Sequence, residues 1–259
     1  MGVVNVTPDS FSDGGRYVDA ETAVARIGAL AAEGASIIDI GAESTRPGAK
    51  RVPAEEQLAR LKPVLEAAPL AVPLSIDTTR AAVAEFALSA GAIMINDVSA
   101  GRDDPEMLSV VASRDSDICL MHMHGEPATM QHDPEYDDVV EDVRAFLANR
   151  IEAAVAAGVA EERVVVDPGI GFGKTLHHNL ALLCGLDRLR DLGRPVLVGV
   201  SRKSMFSALL GRDLGERLVP SVAAALAATS RGAAVLRVHD VRETADALRV
   251  WRAIEEGRA

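Results

Sequence analysis

Residues 136–167, YDDVVEDVRAFLANRIEAAVAAGVAEERVVVD, contain the unit from which the fold can be read. Apolar residues recur there at spacings of three and four, with Asp, Glu and Arg between them, which predicts an amphipathic helix over residues 136–157. Gly158 suits the left-handed conformation that ends many helices, and the apolar run 164–166 predicts a short buried strand. The predicted buried face of the helix consists of Val140, Val143, Leu147, Ile151 and Val155.

The same unit recurs along the chain. Short apolar runs predict eight strands, at residues 3–6, 36–40, 72–76, 93–96, 118–121, 164–166, 196–200 and 235–238. Predicted helices end at Gly34, Gly91, Gly158, Gly193 and Gly232. Strands that are apolar on both faces and joined by helices run parallel, with helices covering the sheet. We therefore predict one α/β domain over residues 1–259, a (β/α)8 TIM barrel with its active site at the C-terminal strand ends; an open doubly wound sheet is the alternative.

The composition narrows the class of function. The 259 residues include 27 Lys and Arg against 38 Asp and Glu, a net charge of −11, which argues against nucleic acid as a partner. No apolar run reaches membrane length and no signal peptide opens the sequence, so we expect a cytoplasmic protein that does not bind membranes. Cys119 and Cys184 lie outside any CxxC motif, and we expect both to be buried thiols in a reducing compartment.

Polar residues follow every predicted strand. In a barrel these ends converge on one rim, where active sites lie. Asp77, Asn96 and Asp167 offer acceptors that suit a flat heterocycle with an N–C–N donor edge. A carboxylate within the second strand, Asp39, is either a buried group bonded to its neighbours or a substrate-binding residue. Cations for phosphate groups are offered by Arg46, Arg202, Arg237 and His239.

Two further motifs point weakly to other functions. Residues 169–175, GIGFGKT, resemble a phosphate-binding P-loop, but Pro168 stands where that motif needs glycine. His122 and His124 form an HxH pair that, with Asp77 and His239, imitates a zinc hydrolase site. A zinc site needs several ligands that converge, and no third histidine follows a neighbouring strand, so a zinc hydrolase is disfavoured. The P-loop is disfavoured by Pro168.

Blocks of residues along the chain resemble the signature blocks of the dihydropteroate synthases, a family of pterin-binding enzymes. They occur in the family's order and span nearly the whole chain, although Ala42 stands where glycine is common. The blocks are NVTPDSFSDGG (5–15), AESTRPGA (42–49), SIDT (75–78), NDVS (96–99), MHMHGEPATMQ (121–131), DPGIGFGKT (167–175), VSRKSM (200–205) and RVHDV (237–241).

The resemblance implies three adjoining sites and two loops, 7–15 and 44–49, that fold over the substrates. The implied pterin pocket consists of Asp77, Asn96, Met121, Asp167, Gly171, Phe172, Gly199 and Lys203. The implied diphosphate site consists of Asn5, Thr45, Arg46, Arg237 and His239, with Asn5 also close to a Mg2+ ion. The implied p-aminobenzoate site is bordered by Thr45, Arg46, Pro47, Phe172, Arg202, Lys203 and Ser204. The implied catalytic residues are Asn5, Asp9, Ser10, Phe11, Arg46, Lys203, Arg237 and His239.

Two of these assignments have a plainer alternative from the residues themselves. Phe172 could pack within its own loop, and Ser204 could be an ordinary helix cap.

The reaction implied by the resemblance joins 6-hydroxymethyl-7,8-dihydropterin diphosphate to p-aminobenzoate, giving 7,8-dihydropteroate and pyrophosphate in folate biosynthesis. Its substitution is dissociative, through a carbocation-like species that the ring delocalises, so it needs Mg2+ and cations on the leaving diphosphate rather than a general base. One alternative is a methyltetrahydrofolate-binding methyltransferase domain, which would not need Arg237 and His239. The other is a non-catalytic pterin-binding paralogue, which would be expected to lose loop residues such as Asp9, Phe11 or Arg46, all of which are present.

The resemblance also implies partners. Family members suggest a homodimer through the last helices, where apolar surface is offered by Leu226, Leu248, Val250 and Trp251, unless these side chains simply pack on the barrel. No insertion stands beside residues 169–175 or 201–205, so sulfonamide inhibitors are expected to bind.

Overall fold

The computed structural model describes residues 1–7, 16–44, 48–49, 51–67 and 72–257. Within them, eight parallel strands form one sheet in chain order, which confirms the predicted α/β class. This order differs from that of a doubly wound sheet, which reverses at its middle. The strands are β1 (Gly2–Asn5), β2 (Ile38–Gly41), β3 (Leu74–Asp77), β4 (Met94–Asp97), β5 (Asp117–Met121), β6 (Val164–Asp167), β7 (Val196–Val198) and β8 (Ala233–Leu236).

Helices connect successive strands and follow the last one. As predicted, the glycines at the ends of several of them have positive φ, including Gly34 and Gly158. The helices are α1 (Arg16–Ala32), α2 (Ala54–Ala67), α3 (Ala81–Ser89), α4 (Met107–Ser113), α5 (Val139–Ala156), α6 (Leu176–Cys184), α7 (Leu186–Arg190), α8 (Met205–Leu210), α9 (Leu218–Ser230) and α10 (Val241–Glu256).

Helix α5 departs from its prediction at its start and on its buried face. It begins at Val139 rather than at residue 136, because the extended backbone of Asp138 places its carboxylate to accept hydrogen bonds from the amides of Val140 and Glu141. Its buried face includes Ala154, whereas Val155, expected in the core, is 43% exposed. The small Ala154 therefore takes the inward position and Val155 turns toward solvent.

The end of β8 differs from prediction and approaches β1. The strand spans Ala233–Leu236 instead of 235–238, and a register shift against β7 lies between Val196 and Leu197. Beyond the strand, the amide of Val238 donates to the carbonyl of Met1 at 2.9 Å, and Val238 bridges Gly2 in parallel fashion. The curled sheet thus brings its last segment beside its first strand.

The main hydrophobic core contains buried residues from both the strands and the surrounding helices. A smaller cluster of Met94, Cys119 and Leu197 comes from the strands. Cys119 is buried as expected, but Cys184 is exposed at the last position of α6, so that expectation was wrong. Among the helices described here, none is both long and apolar enough to cross a membrane.

Candidate active site

The C-terminal ends of neighbouring strands lie in register at one edge of the sheet. Asn5 pairs with Gly41, Gly41 with Asp77, and Asp77 with Asn96. Parallel strands in register place such residues side by side. The structure therefore brings together the polar side chains that follow the predicted strands β1, β3 and β4.

Asp39 lies in β2, two residues before Gly41 and therefore on the same face of the sheet. Its side chain is fully buried, and its Oδ1 accepts a hydrogen bond from Ser75 Oγ at 2.7 Å. Its Oδ2 accepts from Asn96 Nδ2 at 3.1 Å and from Arg237 Nε at 2.6 Å. Of the two interpretations of Asp39, the structure thus shows bonds to neighbouring side chains.

Arg237 joins two carboxylates. Its Nη2 donates to Oδ2 of Asp77 at 2.9 Å, while its Nε is held by Asp39. Burial alone would lower the pKa of Arg237, but the two carboxylates raise it above its ordinary value. The Arg237 guanidinium is therefore permanently charged. It bridges Asp77, a residue expected in the pterin pocket, and Asp39, which is buried in the sheet.

Asp77 is a buried carboxylate with opposing influences on its ionisation. Burial raises the pKa of Asp77 to about 7, and the charge of Arg237 acts in the opposite direction. Asp39 and Asp97 add repulsion that favours the protonated form. The ion pair with Arg237 thus opposes the protonation of Asp77 that burial favours.

Asp167 and Lys203 form the opposite side of the site. The buried Asp167 accepts a hydrogen bond from the amide of Gly169 at 2.7 Å. Burial raises the pKa of Asp167, against the effects of that amide and of Lys203. Burial likewise lowers the pKa of Lys203 to about 8, with Asp167 opposing the shift. The two groups are close enough to influence each other's charge.

Phe172 sits between Lys203 and a cluster of methionines. The Lys203 ammonium lies 4.2 Å from the centroid of the Phe172 ring, a cation–π contact. The ring packs against a buried cluster formed by Val98, Met121, Met123 and Met130. The cluster gives the site an apolar wall that includes Met121, one of the residues expected in the pterin pocket.

The glycines expected in the pocket occupy different surroundings. An added Cβ at Gly171, where φ is +83°, would stand 3.3 Å from Cδ of Lys203. At Gly199, apart from the adjoining residues of the chain, no atom of the described residues lies within 4 Å of an added Cβ. Gly199 therefore borders open space at the end of β7.

Lys174, the lysine of the GIGFGKT segment, is buried beneath its own loop. Its Nζ contacts Nδ1 of His122 at 2.9 Å and donates to the carbonyl of Phe172 at 3.0 Å. Burial lowers the pKa of Lys174 to about 7, and burial together with Lys174 lowers the pKa of His122 to about 2. The clue in the sequence was a lysine beside glycines in the loop that follows β6.

These contacts bear on the two disfavoured motifs. Lys174, the lysine of GIGFGKT, points inward to carbonyl groups and His122 rather than outward to a phosphate. His122 contacts the Lys174 ammonium group through Nδ1, and the positive charge of Lys174 opposes the binding of a metal cation there. In the described part of the chain, no group of three or more His, Cys, Asp or Glu side chains is placed to hold a metal ion.

The residues after β7 and β8 are tied to one another. His239 Nδ1 lies 3.0 Å from Ser201 Oγ, and burial, with the nearby charges of Arg237 and Arg202, lowers the pKa of His239 to about 4. Arg202 is held in a two-contact ion pair with Asp240. Burial therefore favours the neutral imidazole of His239, and its role at the diphosphate site stays a prediction.

Ser204 precedes helix α8 at its N-cap position, but its side chain makes no capping hydrogen bond. It is exposed, beside Lys203 in the chain. The helix-cap alternative thus fits its position but not its side-chain contacts, and its place beside p-aminobenzoate stays a prediction.

The second expected loop is anchored at both ends, although its middle lies outside the described residues. The buried Glu43 accepts hydrogen bonds from the amide of Val52 at 3.0 Å and from Gln57 Nε2 at 2.9 Å. Thr78, next to Asp77, donates to Oε1 of Gln57 at 2.9 Å. The expected site residues that lie outside the described part are Asp9, Ser10, Phe11, Thr45, Arg46 and Pro47.

Comparisons with known proteins show the family to which the chain belongs. The family model described as "Pterin binding enzyme" matches residues 1–239. The chain is 51% identical over 261 residues to the dihydropteroate synthase of Neisseria meningitidis serogroup B, covering 98% of this chain and 92% of that protein.

Solved structures show the same likeness. The dihydropteroate synthase of Xanthomonas albilineans with 4-aminobenzoic acid matches with a TM-score of 0.92 and 52% identity, covering 98% of this chain and 92% of that one. The Yersinia pestis enzyme in complex with a sulfonamide drug matches with a TM-score of 0.93 and 45% identity, covering 99% and 94%. The chain belongs to the pterin-binding enzyme family, and its relatives over nearly their full length are dihydropteroate synthases.

Proposed function

We propose that this chain is a dihydropteroate synthase, which condenses 6-hydroxymethyl-7,8-dihydropterin diphosphate with p-aminobenzoate and releases pyrophosphate. The observation that carries the proposal is the contact of Arg237 with Asp77, which sets a permanent cation against a buried acceptor at one edge of the sheet. A pterin diphosphate has both matching parts, a donor-rich ring and an anionic leaving group. The reaction needs no general base, because an aniline nitrogen is already neutral at pH 7.

The pterin ring would bind between the two sides of the site. Asp77, Asn96 and Asp167 are buried and present polar atoms suited to ring N–H groups, and Lys203 would donate to a ring acceptor. The apolar wall would cover the ring faces. We assign this pocket to Asp77, Asn96, Met121, Asp167, Gly171, Phe172, Gly199 and Lys203.

The leaving diphosphate would lie against Arg237 and His239. A fixed cation placed where negative charge develops lowers the barrier to C–O bond breakage without reorganisation. A neutral His239, oriented through Ser201, would donate a hydrogen bond rather than add charge. Asp9, Ser10, Phe11, Thr45 and Arg46 would close over the site and exclude water, which would otherwise trap the carbocation-like species as an alcohol.

The residues present fit a Mg2+ ion that is held mainly by the substrate. Mg2+ prefers oxygen ligands and commonly keeps waters and substrate phosphates. Asn5 offers Oδ1, which stands 3.4 Å from the point where a Cβ of residue 41 would lie, so glycine there keeps space between Asn5 and Asp77. When bound, the ion would neutralise charge on the diphosphate, and Asn5 would be its ligand from this chain.

The p-aminobenzoate site would adjoin the pterin pocket on the side of Phe172 and Lys203. The cation–π contact between them offers an aromatic face beside a positive charge, which suits a benzoate. The Xanthomonas albilineans relative with 4-aminobenzoic acid supports this ligand for the family. Its border would be completed by Thr45, Arg46, Pro47, Arg202 and Ser204.

The proposed architecture is a closed (β/α)8 barrel in a single domain of residues 1–259. Closure is supported by the bridge between Gly2 and Val238 and by the bond from the Val3 amide to the Val238 carbonyl at 3.1 Å. We further propose a homodimer through α9 and α10, where Val219 and Val250 are 76% and 61% exposed. A cytoplasmic location is proposed because both cysteines are free thiols, which suits a reducing compartment.

The test is to incubate the protein with the pterin diphosphate, p-aminobenzoate and Mg2+ and to measure pyrophosphate and dihydropteroate together. Both products are expected in equal amounts. A methyltetrahydrofolate-binding methyltransferase domain would give neither product but would bind folate. A non-catalytic paralogue would bind the pterin and release no pyrophosphate, and either result would contradict the proposal.

A further inference from the structure

Asp39 contacts two residues that the proposed function places in different sites. Asn96 belongs to the proposed pterin pocket and Arg237 to the proposed diphosphate site. Oδ2 of Asp39 accepts from Asn96 Nδ2 at 3.1 Å and from Arg237 Nε at 2.6 Å. Oδ2 of Asp39 therefore lies between Asn96, which would bind the pterin ring, and Arg237, which would bind the leaving diphosphate.

The position of Asp39 in β2 explains how it reaches both. Asp39 pairs in register with Ser75, and the next residue on the same face of β2 is Gly41, opposite Asp77. Because residue 41 has no side chain, the space above Asp39 stays open toward the end of the sheet. Asp39 itself is fully buried, which places it beneath the ligands rather than against them.

The contact with Asn96 fixes what that amide presents. Asp39 accepts from Nδ2 of Asn96, so the NH2 group of Asn96 faces Asp39 and its Oδ1 faces the other way. Asn96 then acts in the pocket as an acceptor, like Asp77 and Asp167. Such a pocket selects a heterocycle whose edge carries N–H donors.

The contact with Arg237 fixes the guanidinium in a similar way. With Nε held by Asp39, Nη2 donates to Asp77 at the end of β3. A charge-assisted bond of this kind orients the planar fork before any ligand arrives. Ser75 Oγ donates to the other oxygen of Asp39 at 2.7 Å.

We propose that Asp39 is a positioning residue that aligns Asn96 for the ring and Arg237 for the diphosphate, so that one buried carboxylate couples the two halves of the site. This rests on the proposed function. A buried ion pair of purely structural value would contribute to stability without setting ligand affinity. The two cases differ in what a substitution of Asp39 does to each ligand.

The experiment measures two separate affinities by calorimetry, for 6-hydroxymethylpterin without diphosphate and for inorganic pyrophosphate with Mg2+. Asp39→Asn keeps the shape but turns one oxygen into a donor that faces donors. Ser75→Ala is the matched control, since it removes a bond to the same carboxylate and touches neither Asn96 nor Arg237. Both variants are checked for folding by circular dichroism.

For Asp39→Asn, both affinities are expected to fall by about 10- to 100-fold, while Ser75→Ala stays within about threefold of the wild type for both ligands. Wild-type affinities for both ligands in folded Asp39→Asn overturn the proposal. Loss of one affinity alone overturns the coupling role. Because binding is measured, a wild-type protein that binds both ligands but forms no dihydropteroate would refute the proposed function and leave this test intact.

If the Asp39→Asn protein does not fold, a second measurement on the wild type still tests the proposal. In the wild type, NMR follows solvent exchange of the Arg237 Nε–H proton before and after pyrophosphate is added. The proton is expected to be protected in both states, because the bond to Asp39 persists when the ligand binds. Rapid exchange in either state shows that Asp39 does not hold the arginine and overturns the proposal.

Discussion

The ammonium group of Lys174 lies 2.9 Å from Nδ1 of His122, beneath the loop that follows β6. A protonated lysine can only donate, so while Lys174 carries its charge Nδ1 accepts and the ring proton lies on Nε2. The same ammonium group donates to the carbonyl of Phe172, a wall of the proposed pterin pocket. Lys174 thus holds the loop on which Phe172 is carried.

The first prediction concerns stability against pH. Burial lowers the pKa of Lys174 from 10.5 to about 7, so between these values the unfolded chain binds a proton that the folded chain does not. The contribution of Lys174 to the free energy of unfolding therefore rises as pH increases from about 7 to 10.5, and is at its least favourable below pH 7. Urea denaturation at pH 7 and pH 9 should show a larger gain for the wild type than for Lys174→Met. An equal gain in both proteins would show that the lysine does not titrate in this window.

A second prediction concerns pterin recognition by Asp167. Asp167→Asn should weaken 6-hydroxymethylpterin binding by about 10- to 100-fold, because a charge-assisted acceptor is replaced by an amide that offers a donor to an N–H group. Calorimetry measures the affinity. Asp246→Asn makes the same chemical change on the exposed surface of α10 and should leave the affinity unaltered. Equal affinity in the wild type and Asp167→Asn would remove Asp167 from the pocket.

A third prediction separates space kept for a ligand from space required by the fold. Gly199→Ala should retain the melting temperature of the wild type but lose pterin affinity, since its Cβ enters open space beside the proposed ring. Gly169→Ala should instead lower stability severely, because its Cβ would stand 1.9 Å from the carbonyl oxygen of His122 and φ is +68°. Thermal melts and calorimetry on both variants test this. A large drop in melting temperature for Gly199→Ala would contradict the assignment.

The fold was largely predictable because strand and helix periods repeat so regularly. The errors have local causes. Hydrophobicity alone could not show that Ala154 rather than Val155 faces inward, since both are apolar and adjacent. Nor could it show that the carboxylate of Asp138 would cap α5 and start the helix at Val139.

The site was predictable at the level of strand ends but not of partners. The sequence placed Asp77 and Arg237 at one rim, yet their contact depends on how β3 and the end of β8 approach across the curled sheet, a relation that spans 160 residues of sequence. For the same reason Asp39 remained ambiguous until its contacts were known. The sequence did not predict Asp240 as the ion-pair partner of Arg202, because charge alone does not specify pairing.

A fourth prediction concerns inhibitors. Sulfonamides should inhibit competitively against p-aminobenzoate, since Phe172 and Lys203 offer an aromatic face and a cation, and a relative from Yersinia pestis is known with a sulfonamide drug bound. Initial rates at several concentrations of sulfamethoxazole and p-aminobenzoate measure this. Inhibition that p-aminobenzoate cannot relieve, or none at millimolar drug, would contradict the proposed site.

The fifth prediction concerns the separate roles of the pterin pocket and of the second expected loop, residues 44–49. Arg46→Ala should lower turnover far more than pterin affinity, because Arg46 would act after the ring is bound, whereas the pocket residues Asp77 and Asp167 are preformed in the sheet. Steady-state kinetics give kcat, and calorimetry gives the affinity for the pterin without diphosphate.

Glu43→Ala provides the complementary variant. Glu43 holds Val52 and Gln57 at the far end of the same loop, so its loss should also reduce kcat while the pterin affinity is kept. Arg249→Ala, on the exposed part of α10, serves as a charge-matched control and should change neither quantity. If Arg46→Ala reduces pterin affinity as much as it reduces kcat, the loop belongs to the pterin pocket and the division of labour fails. A loop released at one end would spend less time closed over the substrates, which is why kcat should fall. If Glu43→Ala leaves kcat unchanged, the hydrogen bonds of Glu43 to Val52 and Gln57 do not position the loop for catalysis.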